Sequence, residues 1–138
     1  MIIIIRISGM VEIPQAVQET LYRMRLRQKY AAVIVHDTPE VRKLLEKVRN
    51  FVAFGTIDEK MLEQLLIVRG ERYDKKKMDA KTVVAGLSKK GLEDLGVKPF
   101  FRLHPPRRGI ESKKHFGTGK GVLGNHGDQI HLLLGRML

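Results

Sequence analysis

The chain has 138 residues, enough for one compact domain or a small core with an appendage, and too few for two ordinary domains. Its 26 Lys and Arg exceed 15 Asp and Glu by 11 charges, while 43% of the residues are hydrophobic, which marks a folded basic protein and excludes a polar tail. A net charge of that size repels itself unless a polyanion neutralises it, so nucleic acid is the first partner to consider; the absence of Cys removes disulfides, thiolate zinc sites and thiol nucleophiles together.

The opening run MIIIIRI has five apolar residues before Arg6, with neither a basic leader nor a small-residue cleavage site. No stretch approaches the roughly 20 apolar residues that span a bilayer. The expectation is a soluble cytoplasmic protein with no membrane partner.

Ile2 to Ile7 is β-branched and almost continuously apolar, which predicts a strand covered on both faces. Ser8 to Ile13 turns the chain, and Pro14 suits the first position of a helix because its missing N–H would be unpaired there anyway. Val17, Leu21 and Met24 then recur on one helical face. Arg23, Arg25, Arg27 and Lys29 crowd the end of this helix, where cations complement the negative pole of its dipole.

Ala31 to Val35 reads as the next strand. Thr38 and Pro39 form an N-cap and first-position pair, followed by Val41, Leu44, Leu45 and Val48 as an apolar stripe. Phe51 to Phe54 is a third strand ended by Gly55, and Thr56 with Glu59 fits a capping box for a helix carrying Met61, Leu62, Leu65, Leu66 and Val68 that Gly70 terminates. The pattern is βαβαβ followed by α. Glu71 to Lys77 is a charged break, after which Asp79 and Ser88 can each cap a short helix, the second closed by Gly96.

From Pro99 onward Gly, Pro and basic residues displace any periodicity, which predicts extended loop until Ile130 to Leu138, a short helix or strand that pins the C-terminus back. Residues 1–70 carry a net charge of +3 and residues 71–138 a net charge of +8. Lys98 to Gly121 alone holds seven basic residues and one acidic one. Such a loop costs self-repulsion and ordering entropy, both of which a phosphate-rich partner offsets. On this reading, removing residues 98–121 leaves a folded core and flattens the salt dependence of RNA binding.

Signals for chemistry are weak. The fragment GTGKG at Gly117 to Gly121 lacks the earlier Gly and the following Ser or Thr of a Walker loop, having Lys114 and Gly121 in those places. His36 beside Asp37 resembles a general-base pair, yet DTPE has a sufficient reason in helix capping. The histidines have no metal-ligand spacing. No catalytic, metal or cofactor residue is therefore assigned, and no small-molecule substrate.

Only 6% of residues are aromatic and none is Trp, which disfavours single-strand stacking on a sheet face. No helix-turn-helix is legible. Arg and Lys on an extended loop suit phosphate contact with a folded RNA, and Phe100, Phe101 and Phe116 read as anchors of that loop. Charge pattern alone adds Lys75, Lys76 and Lys77 in the break, and loop position adds His126 as a hydrogen-bonding residue.

The segment RLRQKYAAVIVHDTPEVRKLLEKVRNFVAFGTID resembles the central block of the large-subunit ribosomal protein L-thirty family, whose eukaryotic relatives are called L-seven. FRLHPPRRG, HFGTGKGVLG and the terminal GRML resemble its archaeal and eukaryotic extension, so the likeness covers nearly the whole chain. The resemblance implies an α/β (α+β) fold related to the ferredoxin-like arrangement, with a three-stranded, largely antiparallel sheet and two helices on one face. It implies a non-catalytic component of the large ribosomal subunit that binds large-subunit rRNA, lies near 5S RNA in archaeal-type members, and has neighbouring ribosomal proteins as further partners. On matching positions it implies rRNA contact by Arg23, Arg25, Arg27, Lys29, Arg102, His104, Arg107, Arg108, Lys113, Lys114, His115 and Lys120. The strand at Ile2 starts without the longer basic leader of eukaryotic relatives, so contacts from such a leader are not expected.

The expected organisation is a βαβαβ core over 1–57, a helical extension over 58–97, and a basic Gly/Pro-rich loop with a C-terminal anchor over 98–138. Two alternatives remain: a small nucleotide-binding enzyme or regulator using GTGKG or the His36 and Asp37 pair, and a general polyanion binder.

Overall fold

In the computed structural model, which describes residues 1–9, 13–70, 80–86, 91, 95–107, 109–117, 119 and 121–138, the first strand β1 (Ile2–Arg6) is buried along its whole length. Its isoleucines alternate between two cores, as a period of two requires. Ile2 and Ile4 meet Val17, Leu21, Leu45 and Val48 on one face. Ile3 and Ile5 meet Leu62, Leu65, Leu66, Ile130 and Leu134 on the other. The first face is therefore covered by helices α1 (Gln15–Arg23) and α2 (Pro39–Val48), and the second by α3 (Glu59–Arg69) and the C-terminal helix α5 (Ile130–Met137). Val83 of the short helix α4 (Ala80–Gly86) joins the second core.

β1 lies between β2 (Ala31–Val35) and β3 (Val52–Thr56), antiparallel to both, with Ile4 opposite Val33 and Phe54. A sheet that stopped there would expose two unpaired edges, an invitation to intermolecular pairing. The basic C-terminal segment closes both. β4 (Phe101–Arg102) pairs antiparallel with β2, placing Arg102 opposite Ala31, and β6 (Gly121–Asn125) pairs parallel with β3. β5 (Glu111–His115) lies outside β6, giving the six-stranded order β4-β2-β1-β3-β6-β5.

Two expectations are corrected here. Among the described residues the sheet has six strands, with helices on both faces, because the extension supplies three strands and a covering helix. The segment from Pro99 to the start of α5 is correspondingly not extended loop throughout: Phe101, Leu103, Val122 and Leu123 are core residues, spaced too irregularly along the sequence to register as one period, whereas Ile130 to Leu138 pins the chain back as a helix, as expected.

Local details shift for identifiable reasons. Pro14 is the N-cap of α1, and the N-cap of α3 is Asp58, whose carboxylate accepts from Met61 N–H at 2.8 Å. Thr56 is not a cap because it continues β3 opposite Ile2. Thr38 caps α2 as expected, accepting from Val41 N–H at 3.2 Å. Leu44 and Val68, assigned to apolar stripes, are exposed. Gly55 does not end β3 but sits inside it: a Cβ there would collide with the Gly127 carbonyl oxygen and approach Ile130 Cβ to 2.7 Å. The break at Glu71 to Lys77 and the caps Asp79 and Ser88 lie outside the described residues.

Candidate nucleic-acid interface

α1 stops at Arg23, so the basic run leaves the helix and forms a loop. The loop begins with a Schellman closure: Leu26 N–H donates to Leu21 O at 2.9 Å and Arg25 N–H to Tyr22 O at 3.0 Å, with Leu21 and Leu26 fully buried. Glycine usually occupies the left-handed position of this motif. Here it is Arg25, at φ 65°, a conformation that costs an ordinary side chain about 1–2 kcal/mol. Tyr30, at the far end of the loop, has φ 66°. Among the described residues these are the two non-glycines with a left-handed backbone.

The loop is fastened from within by Arg6. This side chain at the end of β1 is fully buried and donates from Nη1 to Leu26 O at 2.7 Å, from Nε to Ser8 O at 3.1 Å and from Nη2 to Gly9 O at 3.2 Å. Burial draws its pKa below the ordinary guanidinium value, yet a guanidinium keeps its charge in proteins. Arg6 thus ties the start of the chain to the carbonyl between Arg25 and Arg27. The sequence reading passed over it as the end of an apolar run; the available signal was a charge among residues that are all buried, which demands partners.

Outside, Arg25, Arg27 and Gln28 meet Ala31, Pro99, Phe100 and Arg102 around a cleft of about 380 Å³. Three cations flank it, and no carboxylate lines it among the described residues. Aromatic rings hold the cations in place: Arg27 lies 5.5 Å from the Tyr22 ring centre, Lys29 5.1 Å from Tyr30, and Arg102 5.7 Å from Phe100. Arg23 is exposed beside this region on the α1 surface.

The remaining expected contacts divide. Lys114 and His115 are exposed and belong to β5, as does Lys113. β4 and β5 are the opposite outer strands of the sheet, so five strand spacings of about 4.8 Å put Arg102 and His115 roughly 24 Å apart. The sequence read one basic loop; folding separates it into two basic edges. Arg107 is exposed beside the end of α5, its backbone N–H donating to Arg136 O at 3.1 Å. Lys75, Lys76, Lys77, Arg108 and Lys120 lie outside the described residues.

Two histidines belong to the framework. His104 has both ring nitrogens 2.6 Å from backbone oxygens, those of Pro105 and Leu138, and so fastens the end of α5. His126 is buried, with Nε2 2.6 Å from Val122 O and its ring stacked 4.2 Å from Phe116. Burial lowers its pKa, against the opposing pull of the Val122 hydrogen bond. It is a buried framework residue, its ring turned to Phe116 and Val122 inside the protein. Phe101 is an anchor as expected, being fully buried, whereas Phe100 is partly exposed at the cleft.

Among the described residues, neither alternative site shows a catalytic or phosphate-binding arrangement. Asp37 engages Arg42 through two hydrogen bonds of 2.7 Å, which hold its carboxyl below the usual carboxylate range. Gly117 and Gly119 lie between strands β5 and β6, whereas a phosphate loop presents the N-terminus of a helix.

Residues 2–52 match the family described as ribosomal protein L30p/L7e. Large ribosomal subunit protein uL30 of Aeropyrum pernix is 39% identical over 155 aligned positions, covering 98% of this chain and 97% of its own. The chain belongs to the L30p/L7e family. The uL30 proteins of Archaeoglobus fulgidus, 39% identical with 99% of both chains covered, and Methanobrevibacter smithii, 36% identical over the whole of both, extend the match through the C-terminal segment. The family match thus embraces β1 and β2 and stops at the first residue of β3, and the archaeal relatives embrace the rest of the sheet, including the strands at its edges.

Proposed function

We propose that this protein is a structural, non-enzymatic constituent of the large ribosomal subunit that holds folded large-subunit rRNA at two places, one at each outer strand of its sheet. The relatives' name, large ribosomal subunit protein, supports the assembly. The observation that carries the mode of action is the convergence of Arg25, Arg27 and Arg102 on one cleft with no carboxylate among its described lining residues. Guanidinium groups match phosphate oxygens in pairs, and the family resemblance extends the same role to Arg23, Lys29, Arg107, Arg108, Lys113, Lys114, His115 and Lys120.

Work of this kind is electrostatic. Phosphates crowd one another as RNA compacts, and a rigid bearer of cations relieves that repulsion at a fixed spacing. The family resemblance makes 5S RNA a candidate for one of the two contacts. Location follows the assembly, on ribosomes in the cytoplasm.

The test is the salt dependence of binding to a large-subunit rRNA fragment. Six phosphate contacts, by analogy with duplex binding, lower affinity about 1,000-fold between about 50 and 200 mM salt. Single substitutions Arg27→Ala and Arg102→Ala each reduce the slope by about 1. Equal affinity for heparin and folded rRNA would favour a general polyanion binder.

A further inference from the structure

The cleft is more than a row of cations. Its described lining combines Arg25, Arg27 and Arg102 with the ring of Phe100, Pro99 and the buried Ala31. Phosphate alone calls for donors and has no use for an apolar wall. A volume near 380 Å³ lies at the small end of pockets that accept one compact organic group, about 300–1,000 Å³. Cationic rim, planar ring and apolar floor together match a nucleotide: an aromatic base with phosphates on either side of it.

The cleft is also rigid where it needs to be. Ala31 and Arg102 face each other in the β2–β4 pairing, which fixes the floor and one wall to the sheet. The opposite wall is the loop whose two ends have left-handed backbones at Arg25 and Tyr30, held by Arg6 at Leu26 O. Backbone strain of this sort persists where surrounding structure imposes it, and it concentrates at binding sites. The strain presents Arg25 at the cleft, a position where glycine would close the helix at lower cost.

We infer that this cleft takes one unpaired nucleotide swung out of the rRNA stack, with its base against the Phe100 and Arg102 pair and its neighbouring phosphates on Arg25 and Arg27. The inference rests on the proposed rRNA-binding function and specifies its ligand: a bulged or extruded residue, not the side of a continuous duplex. Unstacked bases are the usual targets of aromatic and guanidinium planes in RNA recognition.

The experiment uses the full chain and two RNA hairpins of equal length, one fully paired and one with a single bulged 2-aminopurine. Wild-type protein is expected to bind the bulged hairpin about tenfold more tightly and to change the emission of the bulged base, in keeping with the usual strength of a base–aromatic stack. Phe100→Leu, which keeps an apolar side chain, loses the preference for the bulged hairpin and the emission change. Phe100→Tyr retains both. Equal wild-type affinities with unchanged emission would overturn the extruded nucleotide yet leave rRNA binding standing. Failure to bind either hairpin, or an rRNA fragment, would overturn both. The wild-type emission decides the matter even if Phe100→Leu does not fold.

Discussion

Arg6 Nη1 lies 2.7 Å from the carbonyl oxygen of Leu26, joining the buried end of the central strand to the loop that carries the first basic cluster. The other two hydrogen bonds of Arg6 hold Ser8 and Gly9 in the turn before α1. One guanidinium therefore satisfies three backbone acceptors from two segments that meet behind the cleft.

Replacing Arg6 by Met keeps much of the side-chain volume and leaves those acceptors without their donor. An acceptor left unpaired in the interior costs about 1–3 kcal/mol. Arg6→Met is expected to destabilise the fold by about 2–4 kcal/mol in urea denaturation. A change below about 0.5 kcal/mol would mean that the loop is held by other means.

Arg25 gives the opposite sign. Arg25→Gly relieves a left-handed backbone and should raise stability by about 0.5–1 kcal/mol. The same substitution removes a cation from the cleft, so affinity for rRNA falls and its salt slope drops by about 1. Denaturation midpoint and binding measured on one preparation must move in opposite directions; a parallel loss of both would contradict the reading of Arg25 as a strained binding residue.

Gly55 marks the contact between β3 and the turn that enters α5. A methyl group there would overlap the Gly127 carbonyl and crowd Ile130. Gly55→Ala is expected to lower stability by roughly 1–3 kcal/mol. Amide exchange should then accelerate in α5 more than in α1, because α1 lies on the other face of the sheet.

His126 couples the fold to pH. Its pKa is lowered in the folded state, so the unfolded chain binds the proton first as pH falls below the ordinary histidine value of about 6.5. The stability present above that value is therefore lost as pH drops towards the folded-state pKa. Urea midpoints should decline from about pH 7 to about pH 5 in wild type and decline less in His126→Gln, which retains a donor for Val122 O. An identical decline in both would assign the effect to other groups.

The inner βαβαβ order was legible because its signals are local. Thr38 and Pro39 announce α2, and the isoleucines of β1 announce a strand buried on both faces. The extension was not legible, because β4 has two residues and β6 takes its place from a partner about 70 positions earlier in the chain. The basic residues were visible in the sequence, but their division between two outer strands depends on those long-range pairings. His126 looked like a loop residue because nothing in its neighbourhood signals that Phe116 stacks on it. Arg6 was visible as an anomaly whose partners only folding brings together.

The strand order also bears on biosynthesis. β1, the earliest of the described strands in chain order, ends up inside the sheet; β2 and β3 settle on its flanks, and β4 and β6 then join the rims so formed. None of these later arrivals must wedge itself between two already paired neighbours. Nascent chains fold from the N-terminus forward, so this sheet can thicken outward as it is made, with β5 alone waiting for the strand that follows it.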